Sequence, residues 1–122
     1  SVTAALPHIK SGRAVALAVT SATRSSQLPD VPTVRESGVA GTKNFEAVGW
    51  LGLMAPRGTP PDIVERLNRE VTDILKSEQM ARFIRERGSE PAPTTPAEFD
   101  RFVASEIGVW GAAVKASGAK PE

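Results

Sequence analysis

The chain has 122 residues, enough for one ordinary domain and too few for two. With 40% hydrophobic and 24% charged residues it has the composition of a globular protein rather than a disordered or fibrous one. Fifteen Lys and Arg against fourteen Asp and Glu leave a formal charge of +1, with the two signs interleaved, so no basic block points to nucleic acid. Cysteine is absent, which excludes disulfides, thiolate catalysis and the usual structural zinc sites, and a single histidine argues against a histidine-based metal site. The longest apolar run, Ala14 to Val19, is far short of a membrane span. The opening Ser1-Val2-Thr3 carries no signal-peptide or lipidation pattern, as expected of a mature or truncated product.

In chain order, Val2 to Lys10 reads as the end of a helix, interrupted by Pro7 and closed by Ser11-Gly12. Ala14-Val15-Ala16-Leu17-Ala18-Val19 is apolar on both faces, the pattern of a strand buried on both sides in a parallel sheet. Residues 22 to 32, with Pro29 and Pro32, form a loop, and Thr33 to Ser37 a short helical turn ending at Gly38. Phe45 to Ala55 is a second expected strand, although Gly49 and Gly52 weaken it unless another backbone or a ligand comes close.

Thr59-Pro60-Pro61-Asp62 predicts a helix start with Thr59 as the cap. That helix carries Ile63, Val64, Leu67, Val71, Ile74 and Leu75 on one stripe, with Asp62–Arg66 and Glu65–Arg69 as outward pairs. Ser77 caps a shorter helix bearing Met80, Phe83 and Ile84 and closed by Gly88. Ser89 to Pro93 is extended, a possible edge strand. Thr95-Pro96-Ala97-Glu98 is a full capping box opening a helix that is to bury Phe99, Phe102, Val103, Ile107, Trp110 and Val114. The pattern is α/β, yet two strands leave hydrogen-bonding edges uncovered. The sequence therefore predicts a core completed by something else, either another part of the chain or another copy.

Chemistry-bearing constellations are few. No Gly-x-Ser-x-Gly elbow accompanies the serines, and His8 reads as a surface residue at a helix end. Carboxylates such as Asp62, Glu65, Glu98 and Asp100 fall in first helical turns, where capping and the helix dipole account for them. No phosphate-binding glycine loop follows a strand. The reading is a non-enzyme without cofactor or metal. Three residues remain as ligand-binding candidates. Thr20 and Ser21 stand at the carboxyl end of the first strand, where ligands gather in open α/β sheets; otherwise they simply begin a loop. Trp50 lies between Gly49 and Gly52, either as a ligand contact or as a core tryptophan.

Several segments resemble one family in order along the whole chain. They are Pro7-His8-Ile9-Lys10-Ser11-Gly12-Arg13, Ala16-Leu17-Ala18-Val19-Thr20-Ser21, Leu28-Pro29-Asp30-Val31-Pro32-Thr33-Val34, Phe45-Glu46-Ala47, Trp50-Leu51-Gly52-Leu53-Met54-Ala55-Pro56, Gly58-Thr59-Pro60 and Trp110-Gly111. These are similar to the C-terminal half of the Bug (TctC-type) proteins, the substrate-binding receptors of tripartite tricarboxylate transporters; Thr42-Lys43-Asn44 resembles a small loop insertion.

The resemblance implies the C-terminal part of a two-lobed periplasmic-binding-protein fold (type II, Venus flytrap). Residues 1–41 would end the second lobe, 42–56 would be the crossing strand and hinge, and 57–122 would be helices returning to the first lobe. It also implies a periplasmic receptor that holds small carboxylates through backbone amides, hydroxyls and water, and that works with the membrane components of the transporter. On this reading the fragment pairs with its missing portion, or self-associates or swaps with another copy. The alternatives are a free-standing module whose amphipathic helices dock a partner, or a hydrolase built on His8.

Overall fold

A computed structural model describes residues 1–119. Among the described residues, four helices account for the regular structure: α1 (Val2–Lys10), α2 (Pro61–Lys76), α3 (Glu78–Glu86) and α4 (Pro96–Ser117), with a 3-10 turn at Val34–Ser37. The chain divides into two compact units. Unit 1 comprises Ser1–Met54 and Leu75–Pro91, and unit 2 comprises Ala55–Ile74 and the segment from Ala92 onward.

The helix boundaries follow the local chemistry of the sequence. The Thr95 hydroxyl accepts from the Glu98 amide, while the Glu98 carboxylate accepts from the Thr95 amide at 2.8 Å, so two orphan donors at the start of α4 are satisfied reciprocally. Ser77 caps α3 by accepting from the Met80 amide. Gly38 and Gly118 adopt the left-handed conformation that ends a helix without a Cβ penalty. The start of α2 departs from expectation. The Pro60 carbonyl takes the first helical bonds, from Ile63 and Val64, and the Thr59 hydroxyl donates to the Pro56 carbonyl at 2.8 Å instead of capping. The surface pairs Asp62–Arg66 and Glu65–Arg69 do not close; Arg82–Glu86 is an i,i+4 pair that does. Such exposed pairs contribute little, so the difference is energetically minor.

Within unit 1 the small core contains Leu6 on α1, Val19, Ala81 on α3 and the buried polar Thr33. The end of α3 meets the start of α1: the Thr3 and Ser89 hydroxyls lie 3.2 Å apart, and Gly88 leaves no room for a side chain beside Val2. Glu90 ties the loop to α3, accepting from the Ser26 hydroxyl at 2.5 Å and from Arg85 at 3.1 Å. In unit 2 the Asn68 side-chain amide donates to the Thr94 carbonyl, joining α2 to the start of α4, and the rings of Phe99 and Phe102 stack at 6.3 Å.

Three strand expectations are corrected. Ala14–Val19 forms a single parallel bridge, Val19 to Thr33, and its Val15 and Leu17 side chains are about four-fifths exposed rather than buried. Phe45–Ala55 forms no ladder among the described residues, and Leu51, Leu53 and Met54 are exposed. Ser89–Pro93 likewise makes no bridge among the described residues. The reason is physical: an apolar alternation records which side chains are suited to burial, but a strand exists only when a neighbour supplies the other half of its ladder. The same holds for the helix stripes, since Ile63, Leu67 and Ile74 on α2 and Phe102, Ile107, Trp110 and Val114 on α4 are exposed where burial was expected. Fully burying one such side chain is worth about 1.5–3 kcal/mol. Covering Val15, Leu17, Leu51, Leu53 and Met54 would thus contribute on the order of 10 kcal/mol, comparable to the whole stability of an ordinary domain.

Candidate functional site

The loop after Val19 is closed by a set of mutually reinforcing bonds. Val19 donates to the Pro32 carbonyl at 2.9 Å and accepts from the Val34 amide at 2.8 Å, which brings the two ends of the loop together. The Glu36 carboxylate accepts from the Thr33 amide at 2.7 Å, and the Thr33 hydroxyl accepts from the Glu36 amide, a capping box on the 3-10 turn. Arg24, from the middle of the loop, reaches back with Nε and Nη2 onto the same carboxylate, at 2.8 Å for Nη2, while Nη1 donates to the Pro29 carbonyl. Such a two-pronged guanidinium–carboxylate pair fixes orientation as well as distance.

Glu36 is the most perturbed acid of this region. The hydrogen bond from Arg24, reinforced by the bonds from Thr33, lowers its pKa to about 2. A carboxylate whose folded pKa lies below its unfolded value stabilises the fold fully above the unfolded value and loses that contribution as pH falls toward the folded one. The loop is therefore expected to lose order between roughly pH 4.3, the ordinary glutamate value, and about 2. Following the Thr33 and Glu36 amide resonances through an acid titration checks this, and Glu36→Gln is expected to remove that step from the titration.

The three candidate residues occupy this neighbourhood in different ways. Thr20 is exposed; its carbonyl accepts from the Ala47 amide at 3.0 Å, which attaches the segment 45–54 beside the turn. Ser21 is half-buried and its hydroxyl donates to the Thr23 carbonyl at 2.7 Å, so in this arrangement it serves the turn. Trp50 lies three residues beyond Ala47 and is about one-third exposed. Thr20 and Ser21 thus share one turn, and Trp50 belongs to the segment docked against it through Ala47.

Two features escaped sequence reasoning. The backbone N–H groups of Thr20, Ser21, Ala22 and Thr23 donate to no described residue, leaving a run of four consecutive donors. The docked segment is also gripped by Arg35, whose Nε donates to the Phe45 carbonyl at 2.8 Å and whose Nη2 pairs with Glu46 at 2.6 Å. Free amides leave no trace in a sequence. An arginine with a partner eleven positions away has no periodic signature either.

Other surfaces contain none of the three candidates. A concavity on α3 is lined by Glu78, Gln79, Arg82, Phe83 and Glu86. His8 is exposed at the end of α1. Among the described residues no group of three His, Asp or Glu could hold a metal ion, and no helix is long and apolar enough to cross a membrane.

Comparison with known proteins agrees with the motif order. Residues 1–119 match the model of the tripartite tricarboxylate transporter family receptor. This chain belongs to that family. It is 39% identical over 117 residues to the protein BugT of Bordetella pertussis, covering 96% of this chain and 35% of BugT. It is 37% identical over 110 residues to a protein encoded in the tcbD-tcbE intergenic region of Pseudomonas sp. strain P51, covering 90% of this chain and 32% of that one. Among solved structures, R. palustris Rpa4515 with adipate is similar at a TM-score of 0.82 and 37% identity, over 99% of this chain and 40% of that one. The chain thus carries part of a periplasmic-binding-protein fold. It spans about a third of the length of these two relatives.

Proposed function

We propose that this chain is the C-terminal part of a periplasmic receptor that captures small carboxylates for a tripartite tricarboxylate transporter and performs no catalysis. The observation that carries the reading is the likeness, over 99% of the chain at 37% identity, to a protein solved with adipate. The local chemistry supports it. A row of amides at Thr20–Thr23 that donate to no described residue, in a loop stapled by Arg24 and Glu36, suits an anion without requiring a charged ligand-binding side chain. In this reading Thr20, Ser21 and their amides contribute donors, Ser21 after turning its hydroxyl from the Thr23 carbonyl, and Trp50 supplies an apolar wall. Residues 1–41 end the second lobe, 42–56 cross between lobes, and 57–122 return to the first; residues 120–122 lie outside the described residues.

The membrane components of the transporter are the expected protein partners. The exposed apolar residues of α2 and α4 favour a second reading, an interaction module that docks another protein through these helices. In the receptor reading the remainder of the receptor covers those faces. Calorimetric titration of the full-length receptor with adipate and a series of other di- and tricarboxylates separates the two. Saturable one-site binding is expected, and a ligand at one hundred times its Kd should stabilise the folded state by about 2.7 kcal/mol. Absence of binding across the series, with a stable complex formed by another protein through α2 and α4, would overturn the receptor reading.

A further inference from the structure

We infer that Arg35 is a positioning residue for the ligand site: from the 3-10 turn it clamps the segment leading to Trp50 against the Thr20–Ser21 turn. Three observations place it there. Its Nε donates to the Phe45 main-chain carbonyl and its Nη2 pairs with Glu46, so one guanidinium holds both the backbone and the side chain of the incoming segment. One residue later Ala47 donates to the Thr20 carbonyl, the direct bond between that segment and the turn. Arg35 itself is fixed, because Val34 bonds to Val19 and Glu36 is held by Arg24 and Thr33. The 3-10 turn is therefore a junction. Arg24 and Glu36 close the loop carrying Thr20 and Ser21, while Arg35 sets where the second segment lies against it.

Lysine cannot substitute fully. Its single ammonium cannot present the planar fork that meets a carbonyl and a carboxylate together. Glutamine at position 46 keeps a neutral acceptor and leaves the Phe45 bond in place, so its effect should be the smaller one.

The ligand half of this inference rests on the receptor reading, and the experiment keeps the two apart. In the full-length receptor, hydrogen exchange is measured at the amides of Ala47, Val19 and Val34, with adipate affinity measured on the same samples, for wild type, Arg35→Ala, Arg35→Lys and Glu46→Gln. The expected result for Arg35→Ala is that Ala47 exchanges at least tenfold faster while Val19 and Val34 keep their protection, and that adipate Kd rises about tenfold. Arg35→Lys should recover part of both effects. A merely structural role would move all three amides together with the melting midpoint. Unchanged Ala47 exchange in Arg35→Ala overturns the inference, as does faster Ala47 exchange with unchanged Kd. If the wild type binds no adipate or other carboxylate, the receptor reading fails, and Ala47 exchange still decides whether Arg35 docks the segment.

Discussion

Gly88→Ala is expected to destabilise unit 1 by about 2–5 kcal/mol, from two costs that act at once. Gly88 sits at φ +77°, just beyond α3, where an L side chain is strained by about 1–2 kcal/mol. A Cβ there would also stand 2.8 Å from Val2 Cγ1, 3.2 Å from the Thr3 amide nitrogen and 3.3 Å from the Val2 carbonyl carbon. The Val2 side chain can rotate away, but the two backbone atoms move only if the start of α1 moves. Overpacking of that kind adds about 1–3 kcal/mol. Gly38→Ala is the control, because Gly38 has φ +73° and nothing within 4 Å of the added carbon. It should show the conformational cost alone. Urea unfolding monitored by circular dichroism gives both values, and equal losses for the two variants would mean that the contact between α3 and α1 is not tight.

The contrast between those glycines and the failed strands marks what the sequence makes legible. Helix ends are local events. Thr95, Pro96 and Glu98 carry their own capping partners within one turn, as does Ser77 with the Met80 amide, so reading them requires nothing from elsewhere in the chain. Thr59 failed for a local reason too, since its hydroxyl found the Pro56 carbonyl first. Strands are different in kind. The runs Ala14–Val19 and Phe45–Ala55 are apolar enough to be buried, but their ladders need partners that no periodicity within them specifies. The candidate site divides along the same line. Thr20 and Ser21 are candidates by their position after an apolar run, whereas Arg24–Glu36, Arg35–Glu46 and the Ala47–Thr20 bond join residues 11 to 27 positions apart. The family resemblance supplied what spacing could not, because motif order encodes a whole fold rather than one local element.

Leu17 offers the sharpest test of the proposed missing neighbour, because its surroundings should differ between this chain and a receptor of full length. Here it is 82% exposed, and Leu51 on the second segment is wholly exposed. Truncating an exposed side chain usually changes stability by no more than about 0.5 kcal/mol. Truncating a buried leucine costs about 2–5 kcal/mol, since a cavity adds to the lost transfer energy. Leu17→Ala and Leu51→Ala are therefore each expected to be near-neutral for unfolding of the 122-residue chain and strongly destabilising in the full-length receptor. Left uncovered, the same apolar side chains should drive copies of the isolated chain together, as exposed apolar patches do. Sedimentation velocity should then show concentration-dependent association that Leu17→Ser with Leu51→Ser weakens, with the helical circular dichroism unchanged. Equal costs in the two lengths of chain, together with a monomer that stays monodisperse at high concentration, would mean that nothing lies over these segments in either. The α/β sheet of the receptor reading would then lose its physical basis, because its strands would have no partners to become strands with.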